Sequence, residues 1–549
     1  MGTYINPGKF QFEITLNSEI YVDKTDMILY LNTLVNTEQR YVCVSRPRRF
    51  GKSVTANMLC AYYGEDEGNF ELFNDRKIAE AESWDKYLGE FQVVRLVITD
   101  FMKKKSKRLS IADMIDNINE KVAGEISKAY TDVDFSDKED LIQTMEDLYQ
   151  AKKKQFVIVI DEWDAVFREY KEDLEGHKLY LDFLRDWLKG KSYVALAYMT
   201  GILPIKKYGK HSALNMFDEY SMIAPMQLAR YTGFTDKEMT DLCKTYNMSI
   251  SDMKEWYDGY LISDEIPVEF RKAYRSGDYH GNNYHEYSPL SVVNALRSGI
   301  IRNYWNQTET YEALAEYINK DFDGLREVVA MLMEGGREKV SIGNYQNDMT
   351  TFNSKDDILT LLIHLGYLGY DFDNKEVFIP NNEILDEFKN STKAQSWDYL
   401  FAILQKSQDI LEATWNLDEQ RVAALLEEAH NKADNKTYNS EAALSYAIQL
   451  AYYSAQNYYT SVRELDSGKG YADLVYIPAP EYSDRPVLLI ELKYNERAET
   501  AIDQILRNDY PQVLEHYKGN ILLVGINYDK DTSPKSEGYK RHECRILKA

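Results

Sequence analysis

The stretch "VSRPRRFGKS", from Val44 to Ser53, ends in the Gly-Lys-Ser of a phosphate-binding loop. The motif GxxxxGK(S/T) has glycine at its first position, where this chain has Arg46. The residues "RYVCVSR" predict a short buried strand before the loop, and Ser53 to Tyr63 predict a helix after it. A strand, a loop and a helix in this order place backbone N–H groups and a helix N-terminus around a phosphate.

The phosphate-binding end of the motif, Gly51-Lys52-Ser53, is intact. Lys52 is predicted to reach the β- and γ-phosphates of a nucleotide, and Ser53 is predicted to ligate Mg²⁺. Pro47 can shape the turn that the missing glycine normally makes, because its φ is fixed at about −65°. The predicted nucleotide-binding residues of this segment are Arg48, Arg49, Phe50, Gly51, Lys52, Ser53 and Val54.

The loop also brings three arginines, Arg46, Arg48 and Arg49, close to the predicted phosphates. Three roles are open for them at the level of sequence: binding of ATP, contact with a neighbouring subunit, or pairing with the acidic turn from Asp161 to Asp164. The sequence selects no arginine finger among them.

A second motif, "FVIVIDEWD", follows about a hundred residues later and ends a predicted strand with Asp161 and Glu162. Asp161 is predicted to hold the Mg²⁺ shell, and Glu162 is predicted to be the catalytic residue that polarises the attacking water. The next strand, "SYVALAYMTG", sets Thr200 one strand over from Asp161, where it can sense the γ-phosphate. These elements in this order predict ATP binding.

The composition is that of an acidic globular chain with several domains. The 549 residues are 44% hydrophobic and 28% charged, and the net charge is −24. This charge excludes binding of nucleic acid through a global positive field, so any contact with DNA or RNA must be local or assisted by a metal. Two basic runs, Lys103 to Arg108 and Lys152 to Lys154, are interpreted as solvated loops or helix ends.

Membrane, secreted and zinc-binding classes are also excluded. No apolar run approaches the roughly 18 residues of a membrane span, and the amino terminus lacks a secretory signal, so a soluble, cytoplasmic protein is expected. The histidines His280 and His285 in "YHGNNYHEY" are interpreted as part of an exposed polar turn. The chain has no CxxC pair, and four scattered cysteines are predicted to be buried thiols: Cys43, Cys60, Cys243 and Cys544.

Strand and helix patterns divide the chain into three predicted domains, 1–225, 226–392 and 393–549. In the first, short strands alternate with helices, which predicts a parallel sheet covered by helices. The second is predicted to be helical, and a hairpin after one of its helices suggests a winged helix. The third runs helix, strand, strand, helix, strand, so it is a separate α/β unit, and the whole chain is of the α/β multidomain class. The clearest segments of the second domain are Asp236 to Tyr246, Lys355 to Leu365 and the hairpin at Asp373-Asn374.

A second site is predicted in "SGKGYADLVYIPAPEYSDRPVLLIELKYN". Glu491 and Lys493 share one face of a strand, because side chains alternate along it, and Asp473 lies on the neighbouring strand. The two carboxylates suit Mg²⁺ or Mn²⁺. Lys493 can position or deprotonate a water for phosphodiester cleavage, so all three are predicted catalytic residues. Taken alone, the Glu-x-Lys pattern is more typical of a salt bridge on a surface strand.

Together with "YVDKTDMI", "WYDGY", "YSPLSVVNAL" and "NYWNQT", the segments "SRPRRFGKS", "VIVIDEWD", "MTGILPI" and "HSALNMFDEY" resemble the AAA-ATPase-like proteins that end in a PD-(D/E)XK nuclease domain. The resemblance covers nearly the whole chain and makes Arg46 the usual residue of the loop. It implies an AAA+ or ORC-like P-loop domain and a restriction-endonuclease-like domain. It adds Glu441 as a helical metal ligand and Gln504 as a polar residue after the core. For His211 and Asn215, in the family segment, two roles are open: facing the nucleotide, or an ordinary hydrogen bond within the protein.

The leading hypothesis is a Mg²⁺-dependent ATPase whose nucleotide state regulates a metal-dependent nuclease acting on DNA. The implied cofactors are ATP and Mg²⁺, with Mn²⁺ as an alternative at the nuclease site. A second hypothesis is an ATP-driven switch or scaffold whose carboxyl domain binds nucleic acid or a protein without cleaving. An RNA target stays open, because nothing in the sequence reads a 2′-hydroxyl. A homo-oligomer is also open, since AAA+ relatives often assemble.

Overall fold

The computed structural model of the chain describes residues 2–205, 214–263, 283–305, 311–320, 322, 324–346, 349–392, 398–430, 441–466, 471–507, 520–529 and 541–549. It has two compact units. The first comprises Met1–Thr308 and Lys339–Leu385, and the second comprises Glu309–Glu338 and Asp386–Ala549. No helix in these described ranges is long and apolar enough to cross a membrane.

The first unit is built on a five-stranded sheet whose strand pairs are all parallel. Its strands lie in the order β2-β5-β6-β1-β7, so β6 separates β1 from β5. Every residue of β1, β5 and β6 is buried, as expected for parallel strands covered on both faces. The strands are β1 (Tyr41–Ser45), β2 (Gln92–Val97), β5 (Phe156–Asp161), β6 (Val194–Gly201) and β7 (Asp218–Tyr220).

Eight helices accompany this sheet in the described part of the chain before β7. One of them, α3, begins directly after the phosphate-loop motif and packs against β2, β5 and β6. A short hairpin of β3 (Lys103–Lys104) and β4 (Lys107–Arg108) follows β2. The helices are α1 (Phe10–Leu16), α2 (Met27–Leu34), α3 (Lys52–Tyr63), α4 (Asn69–Phe73), α5 (Ile111–Ala129), α6 (Leu141–Lys152), α7 (Ala165–Glu169) and α8 (Leu174–Leu188).

The helices and short strands that follow β7 in the first unit are called its second layer. Three mutually packed helices surround an apolar cluster that includes Phe234, Met253 and Tyr287, beside a small antiparallel sheet in the order β8-β10-β9. A further helix leads into a two-stranded hairpin. The elements are β8 (Phe234–Thr235), α9 (Asp236–Tyr246), α10 (Ile250–Tyr257), β9 (Tyr260–Ser263), β10 (Asn283–Tyr287), α11 (Pro289–Ser298), α14 (Lys355–Leu365), β12 (Gly369–Asp371) and β13 (Glu376–Phe378).

The second unit has helices around a mixed five-stranded sheet in the order β14-β15-β16-β17-β18. Only the β16–β17 pair is parallel, and α20 connects its two strands. The strands are β14 (Tyr459–Asp466), β15 (Tyr471–Pro478), β16 (Val487–Tyr494), β17 (Ile521–Tyr528) and β18 (His542–Lys548). The helices are α12 (Tyr311–Ile318), α13 (Leu325–Met333), α16 (Asp398–Gln405), α17 (Ser407–Trp415), α18 (Glu419–His430), α19 (Glu441–Ala451) and α20 (Ala498–Arg507). Two elements lie where the chain passes between units: β11 (Glu338–Lys339) and α15 (Asn382–Thr392).

Most predicted elements are confirmed. The predicted strands of both sites, the helices α9 and α14 and the hairpin around Asp373-Asn374 are all present. All four cysteines are buried, as predicted. The predicted helical region after Pro225 also contains a sheet that the sequence did not predict, formed by β8, β9 and β10, whose short strands carry no clear alternation. The winged-helix assignment and the three domain boundaries stay predictions.

Gly259 should be essential for joining this second layer. Its φ is +109°, and a Cβ built on it would lie 1.9 Å from the carbonyl oxygen of Pro380. We expect Gly259→Ala to lower the free energy of unfolding by about 2 kcal/mol more than Gly299→Ala, because backbone must move to admit the methyl group. Gly299 is the matched control, with φ +67° and open space around it. Urea unfolding followed by tryptophan fluorescence measures both, and equal losses would contradict the proposed clash.

Candidate functional site

The carboxyl ends of three neighbouring strands bring the first set of predicted residues together. In the sheet register Thr200 on β6 pairs with Val44 on one side and with Asp161 on the other. The Thr200 hydroxyl is buried and donates to the carbonyl of Val44 at 3.1 Å. The phosphate-loop motif and Asp161 therefore lie at the same edge of the sheet, separated by one strand.

The loop itself has the backbone form that a phosphate cradle requires. Gly51 caps α3 with φ +82°, and a Cβ at this position would meet nothing within 4 Å, so the space beside the helix N-terminus is open. The first N–H groups of a helix have no partner within the helix and favour anions. Lys52 donates to the loop carbonyls of Arg46 at 3.0 Å and Pro47 at 2.7 Å. Burial lowers the pKa of Lys52 to about 8, against the opposing effect of Asp164 and Asp161.

Asp161 is buried, and the Ser53 hydroxyl lies close enough to influence its carboxylate. Burial raises the pKa of Asp161, although Ser53, Lys52 and Arg95 oppose the shift. The Arg95 guanidinium is 3.9 Å from Asp161 Oδ2. Glu162 follows with φ +53°, a strained backbone for a residue other than glycine. The predicted pair for Mg²⁺, Ser53 and Asp161, is thus adjacent, and its hard oxygen atoms fit that ion.

Arg168 is a residue that sequence reasoning missed. It lies on α7, one turn after Asp164, and its Nε donates to Asp164 Oδ2 at 3.1 Å. Burial alone lowers the pKa of Arg168, but the carboxylates of Asp164 and Glu162 outweigh that effect and the pKa is raised. The available signal was the spacing of four residues between Asp164 and Arg168, which brings side chains together if the segment is helical. Asp164 also accepts hydrogen bonds from the backbone N–H groups of Ile202 and Leu203 at 3.1 and 3.0 Å.

Arg46 points away from the phosphate side of its loop and is completely buried. Its Nη1 donates to the carbonyls of Ser45 and Tyr220, both at 2.9 Å. Its Nε is 4.0 Å from the carboxylate of Glu286 on β10, which is also buried. Burial raises the pKa of Glu286 to about 7, while Arg46 and Lys24 oppose the shift.

The neighbouring loop residues also contact the second layer of the unit. The Arg49 guanidinium lies over the Trp305 ring at 4.7 Å. Phe50 is buried and packs edge-on against Tyr260, with ring centroids 5.3 Å apart. Arg48 is exposed. None of the roles considered from sequence for the three arginines anticipated these contacts with the part of the unit after β7.

An apolar cleft of about 500 Å³ opens beside the N-terminus of α3. Gly51, Val54 and Met58 line one wall, and Tyr21 and Phe234 contribute to others. Val54 is 40% exposed although it is apolar, because it faces this cleft. The cleft therefore explains why this valine is exposed. It continues from the phosphate loop.

The second set of predicted residues lies on β15 and β16 of the second unit. Asp473 Oδ2 accepts a hydrogen bond from the backbone N–H of Leu492 at 2.7 Å, which fixes the carboxylate beside β16. Lys493 Nζ donates to Glu491 Oε1 at 3.3 Å. Burial raises the pKa of Glu491 to about 7, helped by the charge of Asp473 and opposed by Lys493. Two carboxylates and one ammonium group are therefore brought together.

The other predicted residues are less informative. Glu441 begins α19, but its side chain lies outside the described residues, as do His211 and His280. Gln504 is half-buried on α20. His285 pairs with Asp258 at 2.8 Å. Asn215 accepts a hydrogen bond from Lys189 at 2.9 Å. No group of three or more His, Cys, Asp or Glu residues with metal-binding geometry occurs among the described residues.

Residues 8–210 match the family described as "Predicted AAA-ATPase", and residues 444–537 match the PD-(D/E)XK nuclease superfamily. The chain therefore carries an AAA-ATPase-like domain and, at its carboxyl end, a PD-(D/E)XK nuclease superfamily domain. This confirms the resemblance that the sequence motifs indicated.

Individual proteins are only distantly similar. The "Uncharacterized protein in vnfD 5'region" of Azotobacter chroococcum mcd 1 is 23% identical over 317 residues, which are 55% of this chain and 52% of that protein. The chain thus spans about half the length of this curated relative. The solved ORC1 protein of Aeropyrum pernix in complex with DNA is 11% identical, with a TM-score of 0.24, over 71% of this chain and 97% of that one. The ORC2 protein of the same organism is 10% identical, with a TM-score of 0.20, over 69% and 97%.

The Arg46–Glu286 pair should stabilise the first unit in a pH-dependent way. At pH 8 Glu286 is ionised, so Arg46→Met leaves a buried carboxylate without its cation and should cost on the order of 3 kcal/mol. At pH 5 Glu286 is protonated, since its pKa is about 7, and the same substitution should cost less. Urea unfolding at both pH values measures the difference, and an equal cost at pH 5 and pH 8 would contradict the pairing.

Glu286→Gln is the matched control for the same pair. The raised pKa of Glu286 means that its contribution to stability is fully present below about pH 4.5 and is lost as pH rises through about 7. Wild type should therefore lose on the order of 3 kcal/mol relative to Glu286→Gln across this window. The loss should level off above it, where both proteins have a constant charge at this position.

Proposed function

We propose that the chain is a Mg²⁺-dependent ATPase whose nucleotide state controls a metal-dependent nuclease acting on DNA. The observation that carries the proposal is the meeting of Ser53 and Asp161 beside the N-terminus of α3, from which Lys52 also extends. The carboxyl-terminal superfamily match and the Asp473, Glu491 and Lys493 cluster support the nuclease half. DNA as the target, control by nucleotide and a cytoplasmic location are parts of this proposal.

The residues of the first site divide the work of phosphoryl transfer. Lys52 and the first N–H groups of α3 would bind the β- and γ-phosphates. Lys52 would then give up its hydrogen bonds to two loop carbonyls. Ser53 and Asp161 would hold Mg²⁺, which neutralises charge on the phosphate oxygens. Glu162 would orient the attacking water, and Thr200 lies on the strand between the two motifs. Arg168 would act as a positioning residue, because it fixes Asp164 next to Glu162.

The apolar cleft beside α3 suits the base of the nucleotide. It is continuous with Gly51 and is lined by apolar or aromatic side chains such as Val54 and Tyr21. Such clefts bind planar apolar groups and leave specificity to a few polar atoms. The proposed orientation therefore sets the phosphates at the helix N-terminus and the base in the cleft.

The second site would hydrolyse a phosphodiester. Asp473 and Glu491 would hold Mg²⁺ or Mn²⁺, and a divalent ion there supplies Lewis acidity toward the phosphate. Glu441 is proposed as a third ligand, from the resemblance alone. Lys493 would position the attacking water or take its proton at Nζ, for which it must leave Glu491 Oε1. Metal binding by Glu491 requires its ionised form, which burial disfavours in the metal-free protein.

The second candidate function is an ATP-driven switch whose carboxyl domain binds nucleic acid or a protein without cleaving. One observation favours it: Glu491 and Lys493 form an ion pair of 3.3 Å. A pair whose role is only structural has the same geometry. In either version the helix α14 and its hairpin β12–β13 are proposed to couple the two activities or to dock a duplex. Assembly into a homo-oligomer, with an arginine supplied by a neighbour, is part of the same proposal.

Nucleotide binding tests the first half. Lys52→Ala should weaken ATP binding roughly 10- to 100-fold, because a charge-assisted hydrogen bond to phosphate is lost. Glu162→Gln should leave ATP affinity unchanged and abolish turnover, since it acts on the water. Lys128→Ala, an exposed lysine of α5, is the control and should change neither. Isothermal titration calorimetry and phosphate release measure the two effects. An unchanged affinity of Lys52→Ala for ATP would contradict the assignment of the nucleotide site.

Cleavage tests the second half. Wild type should nick a plasmid with Mg²⁺ or Mn²⁺, and Asp473→Asn and Lys493→Ala should each slow cleavage about 100-fold or more. Glu543→Gln and Lys548→Ala, on exposed positions of β18 in the same sheet, are matched controls that should cleave normally. The panel includes single-stranded, duplex and branched DNA and RNA, each with and without ATP. ATP turnover without any nucleic-acid product under either metal would favour the switch.

A further inference from the structure

The highest local positive charge in the described N-terminal part of this acidic chain lies on the β3–β4 hairpin. Residues Lys103 to Arg108 read KKKSKR, and all six are exposed. The sequence alone favoured a solvated loop. The structure instead has two paired strands joined by the two residues Lys105 and Ser106.

The hairpin has several features that destabilise it. Its two cross-strand pairs are Lys103 with Arg108 and Lys104 with Lys107, so both pairs place like charges directly opposite each other. Such pairs are destabilising. The turn residues Lys105 and Ser106 have φ of +49° and +65°, a conformation that usually selects Asn-Gly and that costs other residues roughly 1–2 kcal/mol each. A segment that breaks several local rules together is typical of a functional site.

The base of the hairpin is nevertheless held in place. Arg108 pairs with the Glu169 carboxylate at 3.8 Å, and its guanidinium lies over the Tyr170 ring at 4.1 Å. Lys104 pairs with Glu120 at 2.8 Å. Within the part of the chain that the structure describes, Lys103, Lys105 and Lys107 pair with no carboxylate. Two cations therefore anchor the hairpin, and three are left for a ligand.

We propose that the β3–β4 hairpin binds the sugar-phosphate backbone of a nucleic acid through Lys103, Lys105 and Lys107. The hairpin offers no apolar side chain, and protein interfaces are depleted in lysine and need an apolar centre. A polyanion with regularly spaced phosphates requires neither, because its binding comes from counterion release. The inference deepens the proposed action on DNA and rests on it for the class of ligand.

The run Lys152 to Lys154 provides a matched control. It has three lysines, as many as the hairpin lysines assigned to the ligand, but Lys154 pairs with Glu65 at 2.7 Å and Lys152 pairs with Asp132. It precedes β5, whereas the hairpin follows the parallel neighbour β2, so the two runs lie at opposite edges of the sheet. Replacing three lysines by glutamine in either run changes the net charge of the chain equally.

The experiment measures binding of fluorescent duplex and single-stranded DNA by anisotropy, with the full chain in EDTA, at several salt concentrations. Lys103→Gln/Lys105→Gln/Lys107→Gln should weaken binding on the order of 10- to 100-fold at 0.1 M salt and should lower the slope of log K against log salt by about 2 to 3. Lys152→Gln/Lys153→Gln/Lys154→Gln should change neither value. The hairpin variant should melt at the same temperature as wild type or higher, because like-charge repulsion is removed.

The outcomes separate this inference from the proposed nuclease. Three results would overturn the hairpin assignment. They are an equal loss of DNA affinity in both triple variants, no loss of affinity in either, and a wild-type protein that binds no nucleic acid at any salt concentration. A loss of DNA affinity confined to the hairpin variant supports the hairpin assignment. This holds even if neither wild type nor Asp473→Asn cleaves nucleic acid, because that result contradicts only the proposed nuclease. The single variant Lys105→Gln, with an expected slope change of about 1, supports the assignment where the triple variant fails to fold.

Discussion

The buried guanidinium of Arg46 is the interaction on which the first unit depends. A charge inside a protein is costly unless it is paired and hydrogen-bonded. Arg46 meets part of that requirement: its Nη1 donates to two backbone carbonyls. Its Nε lies 4.0 Å from Glu286, on a strand far along the chain, and this is a charge interaction without a hydrogen bond. The Arg46 backbone N–H also donates to the carbonyl of Gly201 at the end of β6, at 3.0 Å. One residue thus joins the phosphate loop to β6, β7 and β10, which a glycine at the same position could not do.

This arrangement also explains how a loop rich in arginine can serve a phosphate site. Arg46 and Arg49 direct their charges into contacts with the layer after β7, at Glu286 and Trp305. The backbone that follows them is then free to turn at Gly51 and begin α3. The first glycine of the standard motif gives conformational freedom, whereas Arg46 gives a fixed conformation. The fixed conformation couples the loop to the helices that cover it, so any movement of that layer must break a buried ion pair or carry the loop along.

The carboxylates after β5 show why a motif alone does not assign roles. Asp161 and Asp164 are both buried, and the Ser53 hydroxyl influences the pKa of Asp161. Asp164 accepts hydrogen bonds from two backbone N–H groups after β6 and from Arg168, so it holds the adjoining loop in place. Glu162 lies between them on a strained backbone. The acidic turn is therefore divided between a residue suited to a metal and a residue that fixes its surroundings.

Sequence patterns predicted those features that depend on local order. The strands β1, β5 and β6 are buried on both faces, so they read as continuous apolar runs, and the catalytic-type residues follow them directly. The same logic placed Asp473 beside Glu491 and Lys493. The role of Glu286 was not accessible, because it depends on a contact between segments distant in the sequence, and "NYHEY" has no pattern that marks one glutamate as buried. The run Lys103 to Arg108 is solvated, as predicted, but its strand pairing was not accessible for a similar reason, since nothing in a run of like charges marks a hairpin.

Charge balance links these sites to a common constraint. Each proposed site combines carboxylates with one lysine: Asp161 and Glu162 with Lys52, and Asp473 and Glu491 with Lys493. At the second site the two carboxylates, when ionised, outnumber the lysine, so the site is net negative and repels phosphate before a divalent cation arrives. At the first site Arg95 and Arg168 also lie beside the carboxylates and offset their charge. The chain as a whole carries −24, so its general field adds to that repulsion. Under the proposed function, a nucleic-acid strand would be captured by a local cationic surface, and it would approach the carboxylates of the second site only after metal binding had reversed the sign of the charge there.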